Sequence, residues 1–162
     1  MSPGGFILLL SSGQSSVADD LMAAVESALL ASSPITAYVS TNIWSDEAPA
    51  QTPLPCIVYR EISGTHEYAT PDATPNIPIL DTISFDLACF ATNKVDAKAI
   101  GKLAAAALRD ASLTFTDGTL LYLRQIGYPV TTLDPEKGPN ESDVWMSIVQ
   151  FKAIVNRYYA AS

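Results

Sequence analysis

A single histidine, two cysteines and scattered serines and carboxylates are the residues with which this chain could do chemistry. His66 follows Gly64 closely in "ISGTHEY". Beside a serine and an aspartate it could act as a general base, because such triads assemble in space and not in sequence. No nucleophile elbow, phosphate-cradling glycine loop or HExxH pattern frames a candidate, however. The plainer reading of His66 is a polar loop residue. Cys56 and Cys89 lie in separate apolar runs and are not spaced as a CxxC pair. One histidine does not complete a zinc site of the usual kind. Both cysteines read as buried free thiols that pack as small hydrophobes, which suits folding in a reducing compartment. Asp134, Glu136, Glu141 and Asp143 cluster in "TTLDPEKGPNESD". They could hold calcium, but the EF-hand pattern is absent, and a solvated acidic loop is the plainer reading. No cofactor and no metal is expected.

Charge narrows the partners. The chain has 162 residues, a net charge of −8 and 48% hydrophobic residues. That is enough apolar material for one folded core, and a single domain over 1–162 is expected. An acidic chain is a poor nucleic-acid reader, because phosphate counterions are displaced by Lys and Arg. It remains compatible with a surface past which DNA slides without sticking. The clearest asymmetry is a basic stripe: Lys94, Lys98 and Lys102 recur at helical spacing, with Arg109 beyond. It reads as a solvated helix face or as a docking surface for an acidic patch, since complementary charge fixes register between partners.

The elements that must carry these residues follow from periodicity. Residues 16–31 form an amphipathic helix, with Val17, Leu21, Ala24, Val25 and Ala28 on one face. Ser16 and Asp19 suit its start, and Pro34 is expected to end it. Residues 35–54 read as mostly irregular, anchored by Ile35, Tyr38, Ile43 and Trp44. Residues 56–63 form a strand led in by Pro53 and Pro55, which are tolerated at a strand's mouth. The stretch 65–79 carries Pro71, Pro75 and Pro78 and reads as a projecting loop. Residues 81–91 alternate as a strand, with Ile83, Phe85, Leu87 and Cys89 on one face. Asn93 caps a helix from Lys94 onward. A short strand over 112–116 and an Asp117-Gly118 turn lead to a strand near 119–128. A second loop covers 131–143, and a long strand covers about 144–157. The N-terminal arm, residues 1–14, contains the run Phe6, Ile7, Leu8, Leu9, Leu10. It is too short to span a membrane, lacks the basic start of a signal peptide, and is expected to pack on another subunit. The order of elements predicts an α+β fold: an antiparallel sheet of about four strands, two helices packed on one face, and long projecting loops.

This order resembles the tail terminator, or tail completion, proteins of long-tailed bacteriophages and gene-transfer particles. The resemblance rests on an apolar helix followed by "ITAYVSTNIWSDEAP", then the proline-led strand "TPLPCIVYREISG". Next comes "DLACFATNKVDAKAIGKLAAAALRD", a strand running into an alanine-rich helix. The last pieces are "LYLRQIGYPVTTLD", an acidic loop and "DVWMSIVQFKAIVNRYY". Together these span residues 20–159.

The resemblance implies a structural virion protein at the head–tail junction, assembled in the bacterial host cytoplasm, with no reaction and no cofactor. It implies a ring, usually of six subunits, that caps the tail tube and meets the head-side connector or stopper protein. Genomic DNA would only pass through its lumen, and no membrane is involved. On this reading His66, Glu67, Tyr68, Pro71, Asp72, Pro75, Asp134, Glu136 and Glu141 are expected to touch tube or connector. Phe6, Ile7, Leu8, Lys94, Lys98 and Lys102 are expected to touch neighbouring subunits. The alternatives are a head-closure or adaptor protein of the neck, a small cytosolic hydrolase using His66, and a monomeric binding module.

Overall fold

A computed structural model describes residues 18–68, 78–109, 113, 118–133 and 143–157. Three helices and five strands follow in the order α1 (Ala18–Leu30), α2 (Ser33–Val39), β1 (Ile43–Ser45), β2 (Cys56–Tyr68), β3 (Pro78–Ala91), α3 (Lys94–Arg109), β4 (Gly118–Leu133) and β5 (Trp145–Arg157). The strands form one sheet in the order β1-β2-β3-β5-β4. All neighbours are antiparallel except β1 and β2, which run parallel. The sheet is therefore mixed and five-stranded, not antiparallel with about four strands, and three helices replace the expected two.

The differences have local causes. Pro34 does not simply stop α1. It sits in the first turn of α2, where a missing N–H costs nothing and the fixed φ favours a helix. The stretch taken as irregular from residue 35 thus holds α2 and β1. β1 is only three residues long, too short to show alternation. The parallel β1–β2 pair needs a wide crossover, supplied by residues 46–55 and their prolines. β2 continues past Gly64 to Tyr68 because a bulge between Glu61 and Ser63 absorbs the break in alternation. Pro78 opens β3, a strand's first residue, which needs no ladder donor. Both ends of the expected 65–79 loop are therefore strand, residues 69–77 lying outside the described residues, and β4 likewise runs on to Leu133, into the expected 131–143 loop. The arm with Phe6, Ile7 and Leu8, the Ser16 cap, the tract 114–117 and Tyr158-Tyr159 lie outside the described residues.

One face of the sheet is the core. Ile57, Tyr59, Ile83, Phe85, Leu87, Cys89, Val149, Phe151, Ala153 and Val155 are buried on it. Phe85 and Phe151 are cross-strand partners with stacked rings 5.3 Å apart. α1 contributes Leu21, Val25 and Leu29, and α3 contributes Ala97, Ile100, Ala104 and Leu108. Asn93 starts α3 as expected: its Oδ1 accepts the Asp96 N–H at 2.8 Å. α3 crosses β5 closely at Gly101, where an added Cβ would collide with the Ser147 hydroxyl. Tyr59 donates to Glu26 at 3.0 Å and ties β2 to α1.

Candidate assembly surface

The strand registers fix where the two expected contact loops leave the sheet. The chain departs at Tyr68 and re-enters at Pro78 at the end where Leu80 faces Asn156. It departs at Leu133 and re-enters at Trp145 at the end where Ala91 lies. Residues 69–77 and 134–142 therefore connect strands at opposite ends of the sheet. A strand the length of β5 separates those ends by about 40 Å. Of the expected tube or connector contacts, His66, Glu67 and Tyr68 are the last residues of β2, paired with Asp81, Leu80 and Pro78. Pro71, Asp72, Pro75, Asp134, Glu136 and Glu141 lie outside the described residues.

The lateral edges differ in kind. On one side β1 covers only Ile57 to Tyr59, so β2 from Arg60 onward has no neighbour there among the described residues. On the other side β4 has no neighbour along its outer edge among the described residues. β4 also presents apolar side chains to solvent: Leu121, Ile126, Val130 and Leu133 are exposed, and Tyr128 is 92% exposed. A long apolar edge strand is a pairing template that a lone protein normally blunts. Two irregularities shape it. Leu121 is an extra residue between Leu120 and Tyr122, and Gly127, Tyr128 and Pro129 together face only Val149 between the Ile126 and Val130 pairs. Gly127 takes φ +70°, a conformation glycine adopts at little cost. Pro129 needs no ladder donor at an edge. The bulge therefore holds Tyr128 out from the sheet.

The sheet face opposite the helices carries its own chemistry. Arg60 donates from Nε to Asp86 Oδ1 at 2.9 Å and from its Nη2 to Oδ2 at 3.1 Å. The Asp86 carboxylate is almost fully buried while the Arg60 side chain is half exposed. This fork raises the Arg60 pKa above its ordinary value, hydrogen bonding to Asp86 being the main cause. Beside the pair a cavity of about 250 Å³ is lined by Asp46, Glu47, Val58, Ala88, Phe90 and Met146, among others. Cys56 and Cys89 are free and buried, as the sequence implied. Burial pushes the Cys56 thiol up to about 11 and Cys89 up to about 12. Among the described residues no group of His, Cys, Asp or Glu could hold a metal.

The lysine stripe is real: Lys94, Lys98 and Lys102 are all exposed along α3. Lys94 differs from the other two, because its Nζ sits over the Trp145 ring, 5.6 Å from the centroid. The apolar β4 edge and the cavity went unnoticed in the sequence. Leu121, Ile126 and Val130 carry no sequence signal that separates an edge strand from a buried one, and the cavity draws on β2, β3, β5 and the loop after β1.

A helix-covered sheet with open edges and connections at both ends can be set against known families. The model of the tail completion protein gp17 family matches residues 23–155. The chain belongs to this family. It is accordingly a structural component of a phage-type tail, a class defined by assembly and not by turnover. Among solved structures, a chain from the virion of a native gene transfer agent particle shares the fold, with a TM-score of 0.60 and 23% identity. The match covers 87% of this chain and 98% of that one. No curated protein sequence matches. For a tail completion protein the informative features are edges, ends and loops.

Proposed function

We propose that this tail completion protein is a tail terminator: a ring, of six subunits as its resemblance implies, that caps the tail tube and joins it to the head-side connector. The observation that carries this reading is the pairing of an open apolar edge at β4 with strand connections at both ends of the sheet. Lateral edges serve neighbours within a ring, as unpaired strands readily accept partners. The two ends serve layers above and below, the 65–79 region facing one and the 131–143 region the other. Lys98 and Lys102, exposed on α3, add a cationic face toward an adjoining acidic subunit. The net charge of −8 suits a lumen that DNA must cross, because carboxylates repel phosphates. On this reading the protein sits at the head–tail junction and catalyses nothing.

The test is particle mass and shape, measured by light scattering and negative-stain imaging, for the chain alone and mixed with tail tubes. Rings, or caps on one end of each tube, are the expected result. A strictly monomeric chain that ignores tubes would end the terminator reading.

A further inference from the structure

We propose that neighbouring copies of this chain lock head to tail, Tyr128 of one copy entering the cavity beside Arg60 and Asp86 of the next. This deepens the ring reading, on which it rests for the identity of the partner.

Shape carries the first part. Tyr128 is held out from one lateral edge, 92% exposed, on a bulge with open space around Gly127. The cavity lies on the outer face of the sheet, on the side away from β4, between the loop after β1 and the outer side chains of β2, β3 and β5. At about 250 Å³ it is smaller than the roughly 300–1,000 Å³ of pockets that hold drug-sized ligands. It suits one inserted side chain. A projecting tyrosine meeting an apolar-floored pocket is the usual build of an interface hot spot.

Register carries the second part. One row across the outer face runs Arg60, Asp86, Gln150, Ile126, and the next runs Val58, Ala88, Ile148, Val130. Tyr128 leaves β4 between Ile126 and Val130, in the same two rows as the cavity's Arg60, Val58 and Ala88. Two copies placed side by side thus bring knob and hole together with no slip along the strands. Knob and hole are different patches of the surface, so the contact is heterologous, and such contacts build rings when the rotation closes.

Charge carries the third. β4 contains one charged residue, Arg124, and no carboxylate. Arg124 is fully exposed, with its Nη1 donating to the Tyr122 hydroxyl at 3.2 Å. The cavity rim carries the carboxylates of Asp46 and Glu47, both exposed. A cationic strand edge therefore faces an anionic rim, and the Tyr128 phenol enters where a carboxylate can accept a hydrogen bond from its O–H.

The test combines Tyr128→Cys with Glu47→Cys in the full chain, oxidised at the concentration where wild type self-associates. Cys56 and Cys89 are buried and stay out of the reaction. The expected result is a ladder of cross-linked multimers from the double variant and none from either single variant. Tyr128→Ala is expected to keep the wild-type melting temperature and to need at least about tenfold more protein for self-association. Rings without the cross-link, undiminished in Tyr128→Ala, would overturn the contact and leave the ring reading standing. Cross-linked open chains that never close or cap tubes would support the contact and end the ring reading. A monomer with neither would overturn both.

Discussion

The two faces of the sheet are built from the same strands and meet opposite surroundings. Toward the helices, β3 and β5 set Phe85 on Phe151 and Leu87 beside Val149, all essentially without solvent contact. Away from them, the same strands offer Asp86 to Arg60 and leave Phe90 and Met146 half-buried around a cavity. The first face is closed within the chain. Among the described residues the second, with the β4 edge, has no covering layer. Stability should therefore concentrate on one face and assembly on the other, and substitutions can separate the two.

The largest expected effect is on the closed face. Phe151→Ala removes a ring stacked on Phe85 and should cost about 3–5 kcal/mol in denaturant unfolding. A loss under about 1 kcal/mol would mean that the face is not the core. Gly101→Ala comes next, at roughly 1–3 kcal/mol, because the new methyl meets the Ser147 side chain. Adding Ser147→Ala removes the hydroxyl and should recover a large part of that loss. If the pair is no better than Gly101→Ala alone, the helix crossing is not where the strain lies.

The thiols sharpen the comparison through pH. A thiol whose folded pKa is raised keeps its full contribution to stability below its unfolded value near 9. That contribution is lost as pH rises from there toward about 11 for Cys56 and about 12 for Cys89. Denaturation midpoints above pH 9 should thus fall, and Cys89→Ala, on the closed face, should flatten the fall more than Cys56→Ala. Equal slopes in all three proteins would remove the thiols from the account. The smallest expected effect on folding belongs to the β4 edge. Leu121→Lys should change stability by no more than about 0.5 kcal/mol yet weaken self-association in sedimentation. Unchanged association would place the subunit interface elsewhere.

What the sequence disclosed follows the same division. The closed face was legible, since strict alternation in β3 and helical spacing in α3 are signatures of a buried stripe. The Asn93 cap and the lysine stripe were legible for the same reason, being local. β2 and β4 were underestimated: the expected strands stop at residue 63 and near residue 128, whereas the pairing runs on past bulges at Ile62 and Gly127–Pro129 to Tyr68 and Leu133. β1 was missed because three residues carry no period. The open edge was invisible because Leu121, Ile126 and Val130 have the composition of a core strand, and only the strand order shows that no described residue pairs beyond them. The family, by contrast, was legible, because the order of elements survives when their boundaries are misjudged.

The placement of the two connections at opposite ends of the sheet has a mechanical consequence. Residues 69–77 lead into the start of β3, and residues 134–142 lead into the start of β5. These strands are antiparallel neighbours, joined by a ladder from Leu80 to Ala91. A pull applied through these two connections would drag β3 and β5 in opposite directions along their own axes. The ladder's hydrogen bonds lie across that axis and share the load together, instead of opening one after another as a zipper does. On the terminator reading proposed above, the fold is thus arranged as a shear joint, stiff along the direction in which a tail would hang from its head.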